Sequence, residues 1–322
     1  MPYILEPENK RLSFHPIKHR DIHQMYKTQL SAHWVSEEVD MSKDLKSFEE
    51  LDENTQHFVL MICAFFASSD FIVNDFLETF LNEITITEIK VLYDFQKSME
   101  NIHSETYSIM LDTLCKDLEK RERLQNAAIN VPCIKQKSDW AYRWIKSQKN
   151  IAWRILANAV MEGIFFSGSF CAIYWLKNKN VLPGFCQANE YIARDERMHT
   201  QSACLIFRNY IEEDLKPSQE QVEKLFREAI EIETEFINKS IPIKLIGMSS
   251  FLMIQYIKNV ANELLVDLGY KPIFEGVKNP FDFMQQLHLS SKTNFFEHRV
   301  TQYQKASSSE TKTMFVEMDD GF

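Results

Sequence analysis

Glu100, His103 and Tyr107 stand at i, i+3 and i+7 in the stretch MENIHSETYSIM, residues 99 to 110. At 3.6 residues per helical turn the three share one face. A carboxylate and an imidazole side by side can bind a metal ion, and a phenol one turn further on can give up an electron. The ligand pair recurs downstream, where RDERMHT, residues 194 to 200, holds Glu196 and His199 at i, i+3. Two such pairs on two helices, with one carboxylate from each of two further helices, form the donor set of a carboxylate-bound di-metal site in a helical bundle.

The chain offers those two carboxylates. Asp70 lies in the long apolar stretch 51–80, where Phe58, Ile62, Phe65, Phe66, Ser69 and Val73 keep a helical period. A buried Asp is costly unless it is paired or bound to a metal; taken alone, Asp70 reads equally well as hydrogen-bonded to a neighbouring helix. Glu162 lies in the apolar run 151–177, with Phe166 and Phe170 at i+4 and i+8. Those two rings read as core, or as the dry wall of a cavity beside the carboxylate. Phe95, Met99, Ile102, Met110 and Leu111 turn the Glu100 face toward a core. Four carboxylates and two imidazoles suit iron or manganese better than copper or structural zinc. Their four negative charges match two divalent ions.

Positioning these residues requires helices. With 7 Gly and 9 Pro in 322 residues the chain has little material for tight turns, which favours an all-α fold. The patterns predict a short helix over His19–Ser31, a long one from about Leu51, and another from a Thr85…Glu88 capping box to about Cys115. Residues 116–137 read as charged and irregular, followed by a short aromatic helix over Asp139–Lys146. One continuous helix is expected over 151–177. Pro183 opens the helix that carries Glu196, and Ser218…Gln221 caps the next, to about Lys239. A last helix runs from about Ile243 to Leu268 and stops at Gly269. Residues 1–50 read as an irregular N-terminal arm, 51–300 as the helical domain, and 301–322 as a tail that orders on a partner.

Composition narrows the function. A net charge of −10 argues against nucleic-acid binding. The six cysteines form no C-x-x-C pair and fit buried thiols in a reducing, cytoplasmic setting. The run 155–176 is long enough to span a membrane, but Glu162 near its middle favours a buried bundle helix instead.

Seven stretches, HWVSEEVDMSKD, FFASSDFIVND, MENIHSETYS, VMEGIFFSGSF, ARDERMH, NPFDFM and TNFFEHRVTQYQ, cover the chain from about residue 33 to 304. In them the chain resembles the small, radical-generating subunit of class I ribonucleotide reductase. The resemblance implies a ferritin-like helical bundle, a homodimer, and a di-iron centre on Asp70, Glu100, His103, Glu162, Glu196 and His199 that reacts with O2. It further implies a stable radical on Tyr107, with Phe166, Phe170 and Ile192 walling its pocket. Trp34 and Asp195, with His103, would carry the electron and proton route. Tyr303 would relay the radical, and residues 314–322 would dock on the large subunit that reduces ribonucleotides. Two positions depart from the pattern: Phe71, where relatives often have Gly, and Arg197, between Glu196 and His199. The competing reading is a stand-alone di-iron oxidase or oxygenase acting on a small apolar molecule.

Overall fold

The computed structural model describes residues 2–147, 149–239 and 248–284. Residues 1–280 form one unit and a second begins at Phe281; the first is described below. Its α-helices are α1 Arg20–Ser31, α2 Asp44–Glu49, α3 Glu53–Leu81, α4 Thr87–Leu114, α5 Leu118–Gln125 and α6 Ala127–Asn130. They continue with α7 Pro132–Ile145, α8 Ile151–Gly163, α9 Ser167–Lys177, α10 Pro183–Tyr210, α11 Gln219–Lys239 and α12 Ser250–Leu268. No strand occurs among the described residues.

Four of these helices enclose the core. α3 lies along α4, α8 lies along α10, and α3–α8 and α4–α10 contacts close the ring. α3 and α4 are long because neither contains Gly or Pro. The Asp52 carboxylate caps α3 by accepting from the amides of Asn54 and Thr55 at 3.0 and 3.1 Å. α3 is apolar on most of its circumference, as a helix covered on several sides must be. Phe58, Phe65, Phe66, Phe76 and Phe80 are fully buried along it, each contributing about 2 kcal/mol of transfer free energy. Glu53–Leu81 and Ile151–Lys177 are apolar enough to cross a membrane, and 72% and 89% of their most apolar windows are buried in the protein. Packing inside the bundle accounts for that apolarity.

The structure departs from the sequence reading at several points. Residues 116–137 are largely helical, forming α5, α6 and the first turn of α7. α2 is a helix within the arm, where the sequence pattern predicts irregular chain. The run 151–177 breaks at a turn over 164–166. There the buried Lys137 ammonium donates to the Phe165 carbonyl at 2.7 Å, satisfying an acceptor that a broken helix leaves open. The Thr85…Glu88 capping box does not form, and α4 starts without a side-chain cap. Both residues instead hold the arm. Thr85 donates its amide and its hydroxyl to the Ile4 carbonyl, each at 3.0 Å. Glu88 accepts from the Lys18 amide at 2.8 Å and pairs with Arg11 at 2.7 Å. Two termini follow the expectation. The Ser218 amide donates to Gln221 Oε1 at 2.8 Å and the Gln221 amide to Ser218 Oγ at 3.4 Å, which is a capping box. Gly269, at φ +93°, ends α12 in the left-handed conformation. The expected start of that helix near Ile243 lies outside the described residues.

Candidate metal centre

α3 supplies Asp70, α4 supplies Glu100 and His103, α8 supplies Glu162, and α10 supplies Glu196 and His199. All six side chains are buried; Glu100, His103, Glu196 and His199 lie against one another, Gln96 bridges Glu100 and Glu162, and Asp70 lies within reach of the charges of Glu100 and Glu196. One ligand atom from each of Glu100, Glu196 and His199 lies within 4.8 Å of the other two. His103 Nδ1 stands 3.1 Å from Glu196 Oε1 and 3.4 Å from Glu100 Oε2. His199 Nδ1 stands 3.0 Å from Glu100 Oε1, without hydrogen-bond alignment. Gln96 and Asn158 donate to Glu162 Oε1 at 2.8 and 3.0 Å.

The donor set fits metal ions. Both oxygens of Asp70, one oxygen each of Glu100, Glu162 and Glu196, and both ring nitrogens of His199 are buried without a hydrogen-bond partner. Orphaned donors and acceptors in a core cost free energy unless something binds them. Here they converge, and all are hard oxygen or imidazole ligands. The electrostatics agree. Burial, then the charge of Glu100, pushes the Asp70 carboxyl well up. Burial does the same to Glu162. Burial also pushes Glu100 up, but the charge of His199 and the close approach of the His103 and His199 rings outweigh it and bring the carboxyl down to about 2. Burial opposes charge on His103 and His199, yet the surrounding carboxylates hold both imidazoles protonated. Protons thus occupy a cluster that cations can claim, and metal binding there must release them.

Beside the cluster, Trp34 Nε1 donates to Asp195 Oδ2 at 2.7 Å, and the same oxygen lies 3.3 Å from His103 Nε2. The Trp34 indole also stacks on the His103 ring, centroids 6.0 Å apart. Arg194 holds the other oxygen of Asp195 at 3.1 Å and donates to the Ala32 carbonyl at 2.6 Å. Trp34 is therefore joined to the His103 ring by one shared carboxylate.

Tyr107 is fully buried one turn past His103, and burial keeps its phenol proton on. Its hydroxyl donates to Asn189 Oδ1 at 2.6 Å. The Phe66 ring stacks on it at 4.8 Å and 9°. Phe166 and Phe170 meet that Phe66 ring at 5.1 and 4.9 Å, and Ile192 is buried on α10. Sequence reasoning missed Phe66, Gln96, Asn158 and Asn189. A signal existed: the first three precede Asp70, Glu100 and Glu162 by four residues, and Asn189 precedes Glu196 by seven, so each shares a ligand's helix face. Phe71 points outward at 59% exposure, and Arg197 is half-buried. Tyr303 and the tail from 301 lie outside the described residues.

The chain matches known proteins along most of its length. The family model for the ribonucleotide reductase small chain matches residues 11–280. The ribonucleoside-diphosphate reductase subunit M2 of Rattus norvegicus is 46% identical over 317 residues, covering 97% of this chain and 80% of the relative. The small chain of Trypanosoma brucei brucei is 46% identical over 324 residues, covering 100% of this chain and 95% of the relative. Among solved structures, the Rnr4 homodimer of Saccharomyces cerevisiae superposes with a TM-score of 0.81 at 34% identity, covering 94% of this chain and 93% of that one. The R2 subunit of Clostridium botulinum shares the fold at a TM-score of 0.78 and 24% identity, over 87% and 91% of the two chains. Near-half identity along almost the entire length, on a bundle whose four inner helices each bring a carboxylate to one cluster, has one reading: the chain belongs to the ribonucleotide reductase small-chain family, an oxidoreductase family.

Proposed function

We propose that this chain is the radical-generating small subunit of a ribonucleoside-diphosphate reductase, with Tyr107 as the oxidised residue. Asp70, Glu100, His103, Glu162, Glu196 and His199 would hold two iron ions, with manganese as the alternative metal. When bound, such a centre supplies the O2-dependent oxidising power that removing an electron from a phenol requires. The protein's share is positioning and exclusion of water. Gln96 and Asn158 orient the Glu162 carboxylate by donating to one of its oxygens, which leaves the other for a metal. Asp195 accepts from the Trp34 indole and faces His103 Nε2, so it orients that ring and can hold a proton between the two. Phe66 covers one face of Tyr107, which keeps water from the phenol.

The observation that carries this reading is the file Trp34–Asp195–His103, built of contacts at 2.7 and 3.3 Å and buried throughout. A tryptophan coupled through one carboxylate to a metal-binding imidazole is the equipment of a chain that exports an oxidising equivalent. A stand-alone oxidase has no use for it. The proposed recipient is a large subunit, reached through Tyr303 and docked by residues 314–322. The working assembly is a homodimer in the cytoplasm, in line with the homodimeric yeast relative.

Electron paramagnetic resonance at low temperature tests the proposal. Apo-protein given ferrous iron and O2 should develop a tyrosyl signal with relaxation typical of a nearby metal, and Tyr107→Phe should lack it. Two irons bound with no organic radical would refute the radical assignment and favour an oxidase.

A further inference from the structure

Among the described residues, Asn189 accepts the hydrogen bond of the Tyr107 hydroxyl. Its Oδ1 accepts from Tyr107 Oη at 2.6 Å, and its Nδ2 donates to the Phe185 carbonyl at 2.8 Å. All three residues are buried. The Phe185 carbonyl can only accept, so the amide has one stable orientation, with its nitrogen toward Phe185 and its oxygen toward Tyr107. A flip would set two carbonyl oxygens against each other in the core. Pro183 starts α10 and Asp44 accepts from the amides of Gly184 and Phe185 at 3.0 and 2.6 Å, so the first turn that carries Phe185 is itself fixed.

A fixed acceptor distinguishes the two redox forms of tyrosine. The phenol has a proton to donate. The oxidised ring is the phenol less one electron and one proton, both passed to the O2-derived oxidant at the metal centre, which they reduce. Its oxygen can only accept. Left in place it would face Asn189 Oδ1 at 2.6 Å, acceptor against acceptor, and the amide cannot turn to help. The amide oxygen is also too weak a base to keep the proton. We propose that Asn189 is a positioning residue for Tyr107: a locked acceptor that sets the ring angle of the resting phenol, favours the reduced form, and makes the ring shift when it is oxidised. The inference rests on Tyr107 as the oxidised residue.

Two measurements test it. The first needs no radical. Ultraviolet resonance Raman spectra of the metal-free protein, taken as wild type minus Tyr107→Phe in H2O and D2O, should show a Tyr107 phenol that donates a hydrogen bond. In Asn189→Leu, similar in size but without an acceptor, that signature should vanish. A wild-type phenol that donates no bond overturns the proposal, as does a signature that survives in Asn189→Leu. The second is the iron- and O2-loaded protein read by electron paramagnetic resonance. Asn189→Leu should change the β-methylene hyperfine couplings, which report the ring angle, and slow radical decay about fivefold, the rate equivalent of one net hydrogen bond. Unchanged couplings with unchanged or faster decay overturn the proposal. A wild-type protein with no radical defeats the Tyr107 assignment but leaves the Raman comparison to decide the role of Asn189.

Discussion

Lys137→Met tests whether a buried ion pair props the turn behind the metal cluster. The Lys137 ammonium lies 2.5 Å from Glu233 Oε2, donates to the Phe165 carbonyl at 2.7 Å, and sits over the Phe236 and Phe65 rings at 3.6 and 4.1 Å. Both partners are buried. Burial pushes Glu233 up to about 7 against the pull of Lys137, and burial brings Lys137 down to about 8 against the pull of Glu233. A carboxyl raised in the folded state gives stability that is full below its unfolded value near 4.5 and is lost as pH rises through about 7. A lysine lowered in the folded state makes stability rise with pH above about 8. The pair is therefore ionised in both states only between these limits.

Without Lys137, Glu233 has no counter-charge and keeps its proton to higher pH. The variant then continues to lose about 1.4 kcal/mol per pH unit above pH 7, where the wild type has stopped losing. The stability gap between wild type and Lys137→Met should be small at pH 5 and larger by about 4 kcal/mol at pH 9, because the variant keeps losing stability from pH 7 to 9 while the wild type gains above about pH 8. Urea denaturation at pH 5, 7 and 9 measures it. Lys137→Met with Glu233→Leu should remove the high-pH penalty, since no buried charge remains. A gap of equal size at pH 5 and pH 9 would refute the reasoning.

Two further outcomes follow from the geometry. Asp70→Asn removes the carboxylate whose two oxygens are both unpartnered; metal analysis should fall from the proposed two ions per chain to one or fewer, while the far-ultraviolet helix signal stays intact. Gly184→Ala places a methyl 2.5 Å from the Asp40 backbone carbonyl, and because backbone cannot rotate away, the melting curve should report about 1–3 kcal/mol of destabilisation.

The spacing of Glu100, His103 and Tyr107, and of Glu196 and His199, was readable from the chain alone. Within one helix, sequence separation is angular separation, so residues three, four or seven apart must share a face. The same logic gave the Gly269 stop and the Ser218–Gln221 cap, since both are local. Asp70 and Glu162 were visible as carboxylates inside apolar runs, but their convergence on one point was not. That needed α3, α4, α8 and α10 to close a ring, and the packing of four separate helix faces selects that arrangement. Partners across helices do not follow from spacing either: the resemblance implied Trp34 with Asp195, and nothing in the chain paired Tyr107 or Lys137 with a partner. Trp34 finds Asp195 across 161 residues, Tyr107 finds Asn189 across 82, and Lys137 reaches the Phe165 carbonyl across 28. The failed capping box shows a local rule losing to a tertiary one. Thr85 and Glu88 had a helix start within reach, and the arm residues Ile4, Arg11 and Lys18 supplied partners they could satisfy only in the folded chain. Covalent spacing set which groups could act together on one helix; burial set which of them lost water and had to find each other.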